Sequence, residues 1–244
     1  MVITGAGRGL GRALAIGAAG QGADVVLVGR DQDKLQAVAG EIQALTSRQS
    51  MTVACDLGDP DEVRSAYETI LASGQVVDVL INNGAPWLEG SLSETTDSEI
   101  ADTVSAAVTG TILMTRGLLP GLRQSSAADI VTIVSTAGYL GWDIRGASIA
   151  FHAAKHGQSG FSDRLRYELK DEGIRVSAIY PPDFDDLDPL DPQWSNTGEQ
   201  VESTLSNRDI VSTVLFIITA SRSCNYPVVL IEGMSGKASS PVSS

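Results

Sequence analysis

An alternation that runs the length of the chain constrains its fold more than any other feature. Strand-length apolar bursts at 1–4, 24–29, 51–56, 78–82, 129–135, 175–180 and 228–231 alternate with amphipathic stretches at 9–21, 32–45, 60–73, 97–118, 150–171 and 208–220. The bursts read as unbroken Val/Ile/Leu runs, the pattern of strands buried on both faces of a parallel sheet. Right-handed crossovers then predict an α/β fold, a doubly wound sheet of seven parallel strands with helices on both faces. No repeat or linker interrupts the alternation, so residues 1–234 read as one domain. The Ser/Gly-rich stretch 235–244 reads as a flexible tail. The segment 181–206, with five aspartates and four prolines before Ser206, reads as a long loop of the kind that forms a lid over a site.

Composition narrows the class without naming it. Seventeen basic and 30 acidic side chains give a formal charge of −13, which argues against nucleic acid or an anionic membrane as partner. The longest apolar run, 211–220, falls short of the ~20 residues of a bilayer span. Nothing resembles a signal peptide, and two cysteines, Cys55 and Cys224, make neither a disulfide framework nor a zinc site. These features predict a soluble, cytoplasmic protein. The first strand is short enough to predict further native residues ahead of Met1.

Chemistry enters at Thr4-Gly5-Ala6-Gly7-Arg8-Gly9-Leu10-Gly11, between the first strand and the first helix. Glycines there allow a tight turn and a close backbone approach to a pyrophosphate, which sits at the positive end of the helix. An acid about 20 residues further on would bind the ribose hydroxyls of NAD. The second strand instead ends Val28-Gly29-Arg30. Arg30, aided by Arg8, suits a 2′-phosphate, which predicts NADP(H) rather than NAD(H); Asp31 suits the cap of the next helix.

These residues resemble the short-chain dehydrogenase/reductase family, over nearly the whole chain from Val2 to Met234. Thr4 to Gly11 matches its T-G-x-x-x-G-x-G cofactor loop, and Asp56 matches the acid that contacts adenine. Asn82-Asn83-Gly84-Ala85 resembles its N-N-A-G segment with the last two residues exchanged. Ser135 and Lys155 stand where its catalytic serine and lysine would be. The resemblance implies a cofactor site of Gly5, Gly7, Arg8, Gly9, Leu10, Gly11, Arg30, Asp56, Leu57, Asn83, Gly84, Lys155 and Pro181. It also implies a reaction in which a tyrosine moves the proton while hydride moves to or from the nicotinamide. In that scheme lysine lowers the tyrosine's pKa and binds the ribose, serine orients the substrate oxygen, and asparagine holds a water in the proton relay.

Three positions depart from that pattern. The Y-x-x-x-K motif reads Phe151-His152-Ala153-Ala154-Lys155, and a phenyl ring has no proton to transfer. The N-x-x-G pattern reads Ala107-Val108-Thr109-Gly110, with Ala107 in place of asparagine. P-G-x-x-x-T reads Pro181 to Asp186, so Pro182 replaces glycine and Asp186 brings a charge where a hydroxyl is expected. Ser135 and Phe151 are also 16 residues apart, a few more than the family pattern, and the lengthened loop carries Trp142, Asp143 and Arg145. His152 is the first candidate for a substitute base, with Tyr139 and Asp143 behind it; the competing reading packs His152 and His156 at an interface. No third ligand completes a metal site around the two histidines.

Three functions fit this chain. The first is an NADP(H)-dependent oxidoreductase on a small carbonyl or alcohol with a non-standard proton donor. The second is a non-redox cyclase, isomerase or lyase, and the third a catalytically silent subunit beside an active paralogue. The resemblance implies a homodimer or homotetramer through the helices at 97–118 and 150–171. Trp87, Trp142 and Trp194 suggest a moderately apolar small-molecule substrate.

Overall fold

The computed structural model describes residues 1–195 and 205–234, so part of the expected lid, 196–204, and the expected tail lie outside the described residues. Seven strands form one sheet: β1 (Val2–Thr4), β2 (Val26–Gly29), β3 (Met51–Ala54), β4 (Val79–Asn82), β5 (Asp129–Ile133), β6 (Arg175–Tyr180) and β7 (Val228–Leu230). Their order is β3-β2-β1-β4-β5-β6-β7, and every neighbouring pair is parallel. The direction of winding reverses between β1 and β4. In such sheets ligands bind at that crevice, outside the carboxyl ends of the strands.

Helices cover both faces: α1 (Gly9–Gly20), α2 (Gln32–Thr46), α3 (Pro60–Ala72), α4 (Asp97–Val104), α5 (Thr111–Leu122), α6 (Ile149–Glu168) and α7 (Asn207–Thr219). Alternate strand residues serve opposite layers, as the period of two demands. Ile3, Leu27, Ile81, Val131 and Ile179 pack with Leu14, Leu35, Ile42 and Val214 of α1, α2 and α7. Val2, Val26, Leu80, Ile130 and Val176 pack with Val63, Ile70, Met114, Leu118 and Leu165 of α3, α5 and α6. Burial of each such side chain contributes about 1.5–3 kcal/mol. At the amino ends of the strands, Asp129 is buried between Arg175 and Arg222, at 2.6 and 2.9 Å. That end of the sheet is closed by charge pairing, and the carboxyl end is left for the site.

One expected element is corrected. Residues 97–118 do not form a single regular helix: α4 and α5 are joined by a π-turn over Ser105–Gly110, and α5 continues through Pro120 to Leu122. The π-turn lies where the helix crosses the loop after β3. There Gly110 rests on Leu57, and a Cβ at Gly110 would stand 2.2 Å from the Leu57 carbonyl oxygen. A wider turn with an extra residue accommodates that crossing, and such turns are frequent at functional sites.

The glycine loop is packed as tightly. A Cβ on Gly11 would lie 2.0 Å from the Gly5 carbonyl oxygen and 2.8 Å from Asn83 Nδ2. Backbone cannot yield as a flexible side chain can, so Gly11→Ala is expected to cost about 1–3 kcal/mol. The cost should appear as a lower urea midpoint at unchanged slope. A midpoint equal to that of the wild type would contradict this packing.

Candidate active site

The carboxyl ends of β1 and β4 meet through Thr4. Its Oγ1 accepts from the backbone N–H groups of Asn83 and Gly84 at 3.0 and 2.9 Å, and Asn83 Nδ2 donates to the Thr4 carbonyl at 3.0 Å. Gly5 takes φ +66° and approaches Gly84 so closely that a Cβ would lie 2.8 Å from the Gly84 Cα. Leu57 reaches the same Gly84, 2.6 Å from where its Cβ would stand. The expected cofactor residues Gly5, Leu57, Asn83, Gly84 and Gly11 are therefore one packed unit.

Above this unit, α1 begins without a cap. Side chains of Asp31, Asp59, Thr96 and Ser148 cap α2, α3, α4 and α6, whereas Arg8 at the α1 cap position makes no such bond and no acid stands in the first turn. Uncapped N–H groups at a helix N-terminus, preceded by glycines, suit an anionic phosphate. An acid borders the cradle: Asp186 Oδ2 lies 3.3 Å from where a Gly9 side chain would begin, and Asp186 Oδ1 accepts from buried Asn207 at 2.7 Å. Arg30 follows β2, exposed, and neither it nor exposed Arg8 has an ion-pair partner among the described residues. Asp31 accepts from Lys34 N and caps α2, as expected. Asp56 accepts from Gly58 N at 2.8 Å, and Pro181 accepts from Thr136 N at 2.9 Å.

The other end of the site is built on β5 and α6. Ser135 has φ +151° and ψ 157°, a backbone region that L-residues rarely occupy and that costs about 1–3 kcal/mol. Its Oγ accepts from Ala137 N at 3.1 Å and so caps the short turn Thr136–Gly138. Phe151 is buried with Ala137 and Ile144, and the exposed Trp87 packs edge-on against it with ring centroids 4.7 Å apart. The lengthened loop pairs with the loop after β4: Ser148 N donates to Leu88 O at 2.9 Å and Gly90 N to Gly146 O at 3.2 Å. Together the two loops wall the space around Phe151.

Lys155 lies one helical turn from Phe151, with Nζ 5.6 Å from the phenyl centroid. It is buried and donates to the Ile133 carbonyl at 3.1 Å and to Gln158 Oε1 at 2.9 Å. Burial, which penalises the charged form, lowers its pKa from 10.5 to about 7. Gln158 in turn donates to the carbonyl of Ala107 at 2.9 Å, inside the π-turn. Positions 107, 151 and 155 thus come together, and Gln158 joins them. Nothing in the family-like motifs marks Gln158; the available signal was its i, i+3 spacing from Lys155 on the same helix.

Other candidates point elsewhere. His152 Nδ1 lies 3.1 Å from the Ala137 carbonyl, its Nε2 lies 3.2 Å from Asp143, and His156 Nδ1 lies 3.1 Å from the His152 carbonyl. Tyr139 stacks edge-on against Tyr180, and Arg145 is exposed. Trp194 packs against the α1–α7 side of the core. Among the described residues no helix is long and apolar enough to cross a membrane.

Comparison with known proteins meets this geometry. The sequence profile of short chain dehydrogenases matches residues 1–188. The chain belongs to the short-chain dehydrogenase family. A cattle (Bos taurus) protein named dehydrogenase/reductase SDR family member 7B is 30% identical over 242 residues, which cover 96% of this chain and 74% of that protein. A metagenomic short-chain oxidoreductase in complex with NADP superposes with a TM-score of 0.78 at 28% identity, over 94% of each chain. A 3-oxoacyl-[acyl-carrier protein] reductase from Brucella melitensis with bound NAD gives 0.78 at 26% identity, over 94% of this chain and 88% of that one.

In this dehydrogenase the buried lysine makes a prediction about stability. A lysine whose folded pKa is lowered from 10.5 to about 7 opposes folding fully below pH 7, and the penalty fades as pH rises toward 10.5. Lys155→Met is therefore expected to gain on the wild type below about pH 7 and to lose that advantage by about pH 10, when urea midpoints are compared across pH. A midpoint difference independent of pH would show that the Lys155 ammonium is not desolvated.

Proposed function

We propose that this short-chain dehydrogenase reduces a small carbonyl compound, or oxidises the matching alcohol, with NADP(H) and a proton source other than a phenol. The observation that carries the reading is Lys155. An ionisable amine is kept buried at an energetic cost, and held by two acceptors beside Phe151, although Phe151 has no hydroxyl for it to assist. A merely structural position would be filled more stably by an apolar residue of similar size.

The choice of cofactor rests on the residues after β2. Likeness to the short-chain oxidoreductase in complex with NADP supports NADP(H), although the Brucella melitensis reductase has bound NAD. Arg30 is exposed and without an ion-pair partner among the described residues, Arg8 stands beside the cradle, and Asp31 is committed to its helix cap. Such guanidinium groups recognise a 2′-phosphate through their fork of donors. The glycine loop and α1 N-terminus would hold the diphosphate, with Asp56, Leu57, Asn83, Gly84 and Pro181 around the rest. The bound nicotinamide supplies or accepts the hydride. Ser135 retains a donor role toward a substrate oxygen, since a hydroxyl donates as well as accepts. Trp87, Ile144 and Phe151 make the substrate side apolar. A second copy of the chain is the expected partner, seated along α5 and α6, where Ile112, Leu119 and Phe161 line a groove of about 430 Å³.

The reading is tested by the loss of reduced-nicotinamide absorbance with a panel of small aldehydes and ketones. Turnover of at least one is expected, and Phe151→Tyr should raise kcat by about 10-fold or more, within the range that a positioned proton donor contributes. Absence of NADPH binding in a fluorescence titration would end this reading. Arg30→Asp should weaken NADPH relative to NADH by about 10–100-fold, the worth of a charge-assisted pair; an unchanged ratio would take the phosphate away from Arg30.

A further inference from the structure

Gln158 belongs to none of the family-like motifs, yet it is 1% exposed and both ends of its amide are engaged. Oε1 accepts from Lys155 Nζ at 2.9 Å, while Nε2 donates to the Ala107 carbonyl at 2.9 Å and meets Thr111 Oγ1 at 3.3 Å. The orientation of the amide follows from chemistry. A lysine only donates, so it must face the oxygen, and a carbonyl only accepts, so it must face the nitrogen.

We infer that Gln158 is the positioning residue for Lys155: with the Ile133 carbonyl it claims two of the lysine's N–H bonds, ties them to the π-turn, and leaves the third free for the proton-transfer position at Phe151. The inference deepens the oxidoreductase reading and rests on it for its catalytic consequence. A neutral amine has two hydrogens, and both are claimed here. The hydrogen that comes and goes on ionisation is then the uncommitted one, on an atom 5.6 Å from the Phe151 ring centroid. When a carbonyl is reduced, its carbon gains a hydride from the reduced nicotinamide and its oxygen gains a proton. Lys155 gives up that proton, directly or through one water, becomes neutral, and is reprotonated from solvent.

The electrostatics agree with this geometry. Burial alone brings Lys155 to about 7, with no charged neighbour contributing. The ionisable side chains on the elements around it turn elsewhere: His152 to the Ala137 carbonyl, His156 to the His152 carbonyl and Tyr180 to Ser159. Gln158 thus holds the ammonium with a neutral acceptor, which aims it while favouring the charged form less than a carboxylate would.

The test compares the full-length wild type with Gln158→Leu and Gln158→Glu by NMR titration of the Lys155 ε-carbon and by the pH profile of kcat. Leucine removes an acceptor from the ammonium, so Lys155 should titrate at lower pH; glutamate adds an anion, so it should titrate at higher pH. The alkaline limb of kcat should move in the same two directions. In the leucine variant kcat should fall about 10-fold or more while KM stays within about twofold. Identical titration of Lys155 in all three folded proteins would overturn the inference and leave Gln158 a packing residue. If leucine prevents folding, the glutamate variant, equal in size, decides alone. The NMR titration needs no substrate, so opposite shifts without carbonyl turnover would uphold the coupling and sink the oxidoreductase reading.

Discussion

The site depends first on the Thr4 hydroxyl. The doubly wound order β3-β2-β1-β4 brings two strand ends together that are separated by 77 residues or more along the chain. At that join two backbone N–H groups, from Asn83 and Gly84, would point into the crevice with no strand partner. Thr4 Oγ1 accepts both, and the Asn83 amide returns a bond to the Thr4 carbonyl. With the join closed, Gly5, Gly11 and Gly84 can come into backbone contact, and α1 can start at the crevice with its first N–H groups uncapped. Those groups are the fold's electrostatic resource, and capping them internally as in α2 or α3 would spend it.

Lys155 poses the opposite problem, because it brings a charge into the interior. Its partners are neutral, so burial stands uncompensated and the ammonium is weakened as a base of attachment but strengthened as an acid. The π-turn is part of that arrangement. It lets the helix pair α4–α5 cross over Leu57 at Gly110 and, three residues earlier, brings the Ala107 carbonyl within reach of Gln158. Position 107 therefore contributes through its backbone, and an alanine there does not interrupt the connection.

The fold was legible because its signals are periodic. Unbroken apolar strands and i, i+3 helix faces such as Val63, Ala66 and Ile70 translate directly into layers. The tight glycine loop was legible because glycine spacing reports backbone contact. The π-turn was not, since Ser105–Gly110 has the composition of ordinary helix and the cause of the widening, Leu57, is distant in sequence. Gln158 was hidden for a related reason: a buried glutamine looks like a surface residue until its three partners, from α6, the π-turn and the start of α5, are in place. Ser135 was found by position, whereas its strained backbone and its bond to Ala137 belong to the tertiary structure alone.

Charge balance at the cradle links these parts. The segment after β6 is fixed across the start of α1: Arg12 pairs with Asp188 at 2.9 Å, Asn207 holds Asp186, and Asp185 exchanges backbone bonds with Leu205 and Asn207. Asp186 is thereby kept beside Gly9, where a diphosphate would also lie. Two like charges sharing one helix end oppose each other, and because Asp186 is exposed, water and salt screen part of that opposition. On a chain of net charge −13 the general field opposes an anionic ligand as well. In the proposed reading local cations offset both effects, and Arg8 and Arg30, exposed and without an ion-pair partner among the described residues, are the candidates. A cofactor with an additional phosphate gains more from those arginines than one without it, while the repulsion from Asp186 at the diphosphate is common to both. In the proposed NADP(H) reading the acidic contact weighs equally on either dinucleotide, so discrimination between them rests on the arginines and not on Asp186.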